Sequence, residues 1–159
     1  MTDTTTPEPE EIVEARLVTA LQAALPGFVV VGVLSPFPAG TVKETPDTYV
    51  SVVVDIADQN IDWKGPGPFT YSAGVTVHVA DPDDPTGKTF RDMCRAVRAV
   101  LGGFLGDGCA ALDGDGFSCD SFMLGATQTR RESVDNYTET AKTYPATLVG
   151  RYTPQTQEA

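Results

Sequence analysis

Basic side chains are scarce in this chain: 11 Lys and Arg stand against 22 Asp and Glu, a formal charge of −11 at pH 7. That balance argues against a nucleic-acid clamp or a surface for anionic membranes, and favours one that repels polyanions. Histidine occurs once, at His78. With no second His, and no Cys at a ligand spacing, a zinc site has too few donors. A Ser–His–Asp arrangement would have to use His78 as its base, yet no Gly-x-Ser-x-Gly elbow presents a nucleophile. His78 therefore reads as a lone histidine on the polar face of a strand. Cys94, Cys109 and Cys119 are odd in number and form no Cys-x-x-Cys, so reduced, buried thiols in a cytosol-made protein are expected. No window reaches the ~18 uncharged apolar residues of a membrane span. The opening Met1-Thr-Asp-Thr-Thr-Thr-Pro-Glu-Pro-Glu is acidic where a signal peptide is basic and then apolar, so no leader is expected.

What is present suits one folded domain. The chain has 159 residues, an apolar fraction of 41%, and 15 Gly with 12 Pro to make turns. Its clearest signal runs from Tyr71 to Leu105. Tyr71, Ala73, Val75, Val77 and Val79 point one way, and Ser72, Gly74, Thr76, His78 and Ala80 the other, a strand with one packed face. Asp81-Pro-Asp-Asp-Pro-Thr-Gly87 ends it. Phe90, Met93, Cys94, Val97 and Leu101 then recur at helical spacing, predicting a helix over Lys88–Leu101 capped by a left-handed Gly102-Gly103.

The other elements are read in the same way. Thr6-Pro7 reads as an N-cap followed by Pro at the first helical position, with Glu8, Glu10 and Glu11 set against the helix dipole. Ile12, Val13, Leu17, Ala20, Leu21 and Ala24 form that helix's apolar stripe, Glu14, Arg16, Thr19 and Gln22 its polar face, and Pro26-Gly27 its stop. Phe28–Leu34 is apolar on both faces and predicts an interior strand. Tyr49–Ala57 is the next, with Val50, Val52, Val54 and Ile56 on one face. Strands joined by a loop without a helix are expected to be antiparallel. Phe117–Thr127 and Ala146–Tyr152 are the closing strands, and Gln128–Tyr144 reads as a polar hairpin tip. The result is an α+β fold: a mainly antiparallel β-sheet with two helices on one face, in the order α-β-β-β-α-β-β. One domain spans residues 9–153, between mobile tails at 1–8 and 154–159.

Few motifs carry chemistry. Asp113-Gly114-Asp115-Gly116 starts like a calcium loop, but Phe117, Ser118 and Leu124 stand at its fifth, sixth and twelfth positions, so it reads as a tight turn. Asp81, Asp83 and Asp84, set among prolines, read as a turn before a helix. Leu101-Gly-Gly-Phe-Leu-Gly-Asp-Gly lacks the Lys-Ser/Thr of a phosphate loop. Arg91, Arg95 and Arg98 form the basic stripe, opposite Phe90 and Val97. They are either a solvated face or donors to a neighbouring subunit's carboxylates. Trp63, the sole tryptophan, sits in a Gly/Pro loop between Ile61 and Phe69, as an interface anchor or packed on its own domain.

The order of elements resembles the tail terminator (tail completion) proteins of long-tailed bacteriophages. The matching parts are the helix Ile12–Leu25, the strand Tyr49–Ala57 with its Pro/Gly-rich loop, and the alternating strand Gly74–Ala80. An acidic turn, the helix Phe90–Leu101 and closing strands near Phe117–Thr127 and Ala146–Tyr152 complete the pattern. The resemblance implies a non-enzymatic virion protein without a cofactor, assembled in the host cytoplasm. It would form a homo-hexameric ring that caps the tail tube, ends tube growth and joins the tail to the head connector. Its implied partners are itself, the tail tube protein and the head–tail connector protein, with DNA passing through the ring unbound. Ser35–Thr48, Asp58–Phe69 and Gln128–Tyr144 are then the expected contact loops. A head–tail connector (stopper or neck) protein is the alternative within the same machinery. A small metal-dependent enzyme using His78 and the Asp clusters is the alternative from another class.

Overall fold

The structure, a computed structural model, describes residues 8–32, 48–56, 68–80, 84, 86–134 and 137–153. The expected mobile tails (apart from Glu8), Thr6-Pro7, Trp63, Asp81, Asp83, and nearly all of the Ser35–Thr48 and Asp58–Phe69 loops lie outside these residues.

Helix α1 spans Pro9–Ala24, with Glu8 as N-cap and Pro9 in the first turn. The Pro-first rule therefore applies to Pro9, one proline later than Pro7. Pro9, Ile12, Val13, Leu17 and Leu21 are buried along one stripe. Two residues expected on the polar face turn inward. Glu14 is 1% exposed, and its carboxyl lies where any Cβ at Gly32 would sit. Gln22 donates from Nε2 to the Leu25 and Phe28 carbonyls at 3.0 and 2.7 Å, and its Oε1 accepts from Val30 N–H at 3.2 Å. One amide thus fastens the end of α1 to the chain that follows it.

The sheet contains β1 (Val29–Gly32), β2 (Thr48–Ile56), β3 (Phe69–Ala80), β4 (Phe117–Leu124), β5 (Gln128–Val134) and β6 (Tyr137–Tyr152). Its order is β1-β2-β3-β6-β4, and β5 also pairs with β6. All described pairings are antiparallel except β1 with β2. The strand expected in the interior is thus parallel to its neighbour and, among the described strands, at the edge, although Val30 and Val31 are both buried. The expected final strand was too short, because β6 begins at Tyr137 and takes in half of the predicted hairpin tip. It holds β3 along one side, and β4 and then β5 along the other.

Pro145 lies inside β6, between the expected hairpin tip and the expected final strand. β4 pairs up to Ala146 and β5 begins at Thr143, so Pro145 falls between them. Its carbonyl accepts from Gly125 N–H at 2.8 Å, which turns that residue's polar groups toward the gap. No ladder bond is missed there.

Helix α2 runs over Lys88–Gly102 and buries Met93, Cys94, Val97 and Leu101. Asp84 caps it, accepting from Thr89 and Phe90 N–H at 3.0 and 2.9 Å, the turn-before-a-helix role expected for it. The expected left-handed glycine cap is absent: Gly103 has φ −67° and continues the turn. Its partner is Gly108, where a Cβ would strike the Gly103 carbonyl. Close backbone approach is what that position requires. A 3-10 helix over Gly106–Leu112 follows. The Asp113–Gly116 motif is a tight turn. Gly114 and Phe117 exchange backbone bonds at 2.9 Å, and Asp115 and Gly116 at its tip have φ 53° and 93°.

Both helices pack on one face of the sheet. Val50, Val52, Val54, Tyr71, Ala73, Val75, Val77 and Val79 meet Leu17, Leu21, Met93, Val97 and Leu101 in one core. Phe117 crosses Tyr71 edge-on, centroids 5.6 Å apart, and its ring fills the space a Gly150 side chain would need. The fold is α+β, as expected, with one additional strand.

Candidate subunit-contact surfaces

On α2 the arginines predicted to form a stripe do so: Arg91, Arg95 and Arg98 are all exposed, opposite the buried face. Their engagement is light. Arg91 donates to the Thr86 carbonyl at 3.4 Å, and Arg95 lies 3.9 Å from Asp92, which Lys88 holds more closely at 2.7 Å. Arg98 makes no ion pair among the described residues. Bonds this exposed contribute little to folding, so the stripe's charge is available to a partner.

The start of α1 carries the opposite charge. Burial, with Glu8, Asp55 and Glu11 nearby, raises the pKa of Glu10 above its ordinary 4.5. The Glu10 Oε1 atom is enclosed without a hydrogen-bond partner among the described residues. Burial also raises Tyr152, and the same three glutamates add to it. The helix dipole favours carboxylates at an N-terminus, and burial opposes it at Glu10.

The sheet face away from the helices is uncovered among the described elements. His78 lies on it, 11% exposed, at the centre of an array that spans three strands. Ser51 Oγ on β2 is 3.0 Å from His78 Nε2, and Glu139 Oε1 on β6 is 2.5 Å from Nδ1. Tyr49 stacks on the imidazole at 4.3 Å and 9°. One register row along, Thr76 and Thr143 hydroxyls meet at 3.0 Å. The order Ser–His–carboxylate is that of a nucleophilic triad, but the setting is not. Ser51 is paired on both sides, with Val31 and Thr76, so its strand amides serve the ladder and not an oxyanion. The array's evident work is to clamp β2, β3 and β6 together. Sequence placed His78 on this face correctly but missed Ser51 and Glu139, because both partnerships depend on strand register.

All three cysteines are buried and free. The Cys119 thiol is pushed up to about 12 by burial, reinforced by neighbouring Cys109. Among the described residues no group of three His, Cys, Asp or Glu is placed to hold a metal ion. No helix there is long and apolar enough to cross a membrane.

The chain matches no family model, and no curated protein is significantly similar to it. Solved structures do share its fold. One is a chain from the virion of a native gene transfer agent particle, 18% identical, with 86% of this chain and 93% of that one covered at a TM-score of 0.51. A second is also 18% identical and covers 91% and 92%, at a TM-score of 0.48.

Proposed function

We propose that this chain is a structural subunit of a phage-like virion, acting without catalysis as a tail terminator. In this reading it closes into a homo-hexameric ring on the end of the tail tube, ends tube growth and meets the head connector. One observation carries the reading: the fold is shared over nearly the full length of both chains with a component of a gene transfer agent virion. The order of elements that resembles tail terminators narrows it. The net charge of −11 supports it too, since a channel wall of like charge does not trap passing DNA.

In the ring, Arg91, Arg95 and Arg98 receive carboxylates from the adjacent subunit, and Trp63 contacts a partner. The tip of the β5–β6 hairpin, in place of the expected contact loop, lies on the tube or connector side. The test is electron microscopy of the purified protein mixed with tail tubes. Six-fold rings at one tube end are expected. Binding to portal complexes instead of tubes would make it a head–tail connector protein, and a chain that stays monomeric on tubes would end the ring reading.

A further inference from the structure

A groove of about 400 Å³ opens between α1 and the 3-10 helix region, with Ile12, Ala15, Thr19 and Phe104 among its lining. Its rim is acidic. Glu8 and Glu11 lie one helical turn before Ile12 and Ala15, on the same stripe of α1. Asp115 lines the far side. The one basic group in the lining, Arg16, is 3.4 Å from Asp115 and so already faces a carboxylate. An occupant must therefore be apolar at its tip and basic beside it.

The described part of this chain presents one such element. Its exposed large apolar residues are Val53, Leu105, Met123 and Leu124. Val53 is two residues from Asp55 on its own strand, and Leu105 adjoins Phe104 in the groove wall. Met123, at 63% the most exposed, remains with Leu124, and the chain continues into exposed Arg130 and Arg131. Met123 is in register with Thr147, and Arg130 with Ala141, so both project from the same face of the sheet edge. That register puts them about 20 Å apart along β6. From Thr19 to Glu8 along α1 is about 16 Å, and an arginine side chain spans the difference.

We infer that Met123 of one copy seats in the α1 groove of a second copy, with Arg130 against Glu8 and Glu11. The inference rests on the ring reading and gives it a contact. Asp115 at the groove and Met123 are near opposite ends of β4, about 25 Å apart. Each copy thus has a donor end and an acceptor end, and such a head-to-tail contact makes a ring when it closes. The same contact covers β5, whose Gln128–Arg131 stretch is exposed.

Cross-linking of the full-length chain tests the contact. The native thiols are buried, so Met123→Cys mixed with Thr19→Cys should form a disulfide dimer on mild oxidation, and neither variant alone should. The double variant should give a ladder ending at the ring. Met123→Asp should weaken self-association by roughly tenfold or more with an unchanged thermal transition. Glu11→Arg and Arg130→Glu should each weaken it, and together restore it. If wild-type rings form on tubes while Met123→Asp assembles normally and no mixed disulfide appears, this contact is wrong and the ring reading stands. A Met123→Cys homodimer, or a ladder that stops at two, also overturns it in favour of a two-fold contact. If wild type forms no ring under any condition, both fall together.

Discussion

Val77 is fully buried at the middle of β3, opposite Val50 on β2. Truncation to Ala removes two methyl groups from a packed interior and should cost about 2 kcal/mol. For a chain of this size that is about 6 °C in Tm. Val77→Asp buries a carboxylate that nothing on the core face was built to receive. Its cost should be roughly 4 kcal/mol or more, a large part of a domain's total stability. Ser72 lies on the same strand with opposite parity, exposed and in register with Asp55. Ser72→Lys should therefore change stability by less than about 0.5 kcal/mol, with the new ammonium near a carboxylate. Urea titration with circular dichroism, supported by thermal melts, measures all three. The Val77→Ala value keeps the test decisive should Val77→Asp fail to fold. If Val77→Ala melts like wild type while Ser72→Lys loses several degrees, the assignment of faces on β3 is wrong, and with it the position of both helices.

Glu10 sets a pH dependence. Because its folded pKa is raised, the folded chain binds more protons than the unfolded one from the ordinary 4.5 upward, so stability falls as pH climbs through that window. Glu10→Gln should raise Tm at pH 7 and lose its advantage below about pH 4; equal gains at both would refute the assignment. Reversing Arg91, Arg95 and Arg98 together should weaken ring formation without unfolding the monomer, and the effect should shrink at high salt, where native pairs are already screened. Unchanged assembly at both salt levels would remove these residues from the interface. Native protein at pH 8 should resist iodoacetamide at all three buried cysteines and react fully in urea; rapid native labelling would contradict their burial. Gly150→Ala should destabilise through the Phe117 ring, which a Cβ would meet at 2.6 Å, and a melt equal to wild type would show that the ring can move aside.

Sequence by itself determined the local elements and which way they face. Alternation from Tyr71 to Val79 assigned the two faces of β3, because side chains on a strand alternate whatever the strand pairs with. The spacing of Met93, Cys94, Val97 and Leu101 did the same for α2, and left the three arginines outside. Turn chemistry at Asp113–Gly116 was legible because positive φ strongly favours Gly and Asp. Only tertiary structure decided what depends on a distant partner. β1 is parallel to β2, and at the edge of the described sheet, because of where it joins β2, which its own apolar run does not encode. The final strand was expected to start only at Ala146, and it runs on through Pro145 because the switch from β4 to β5 falls there. Glu14 and Gln22 looked like surface residues until Gly32 and the first residues of β1 came within reach. The Ser51–His78–Glu139 array and the α1 groove have the same origin, since strand register and helix packing alone bring such separated residues together.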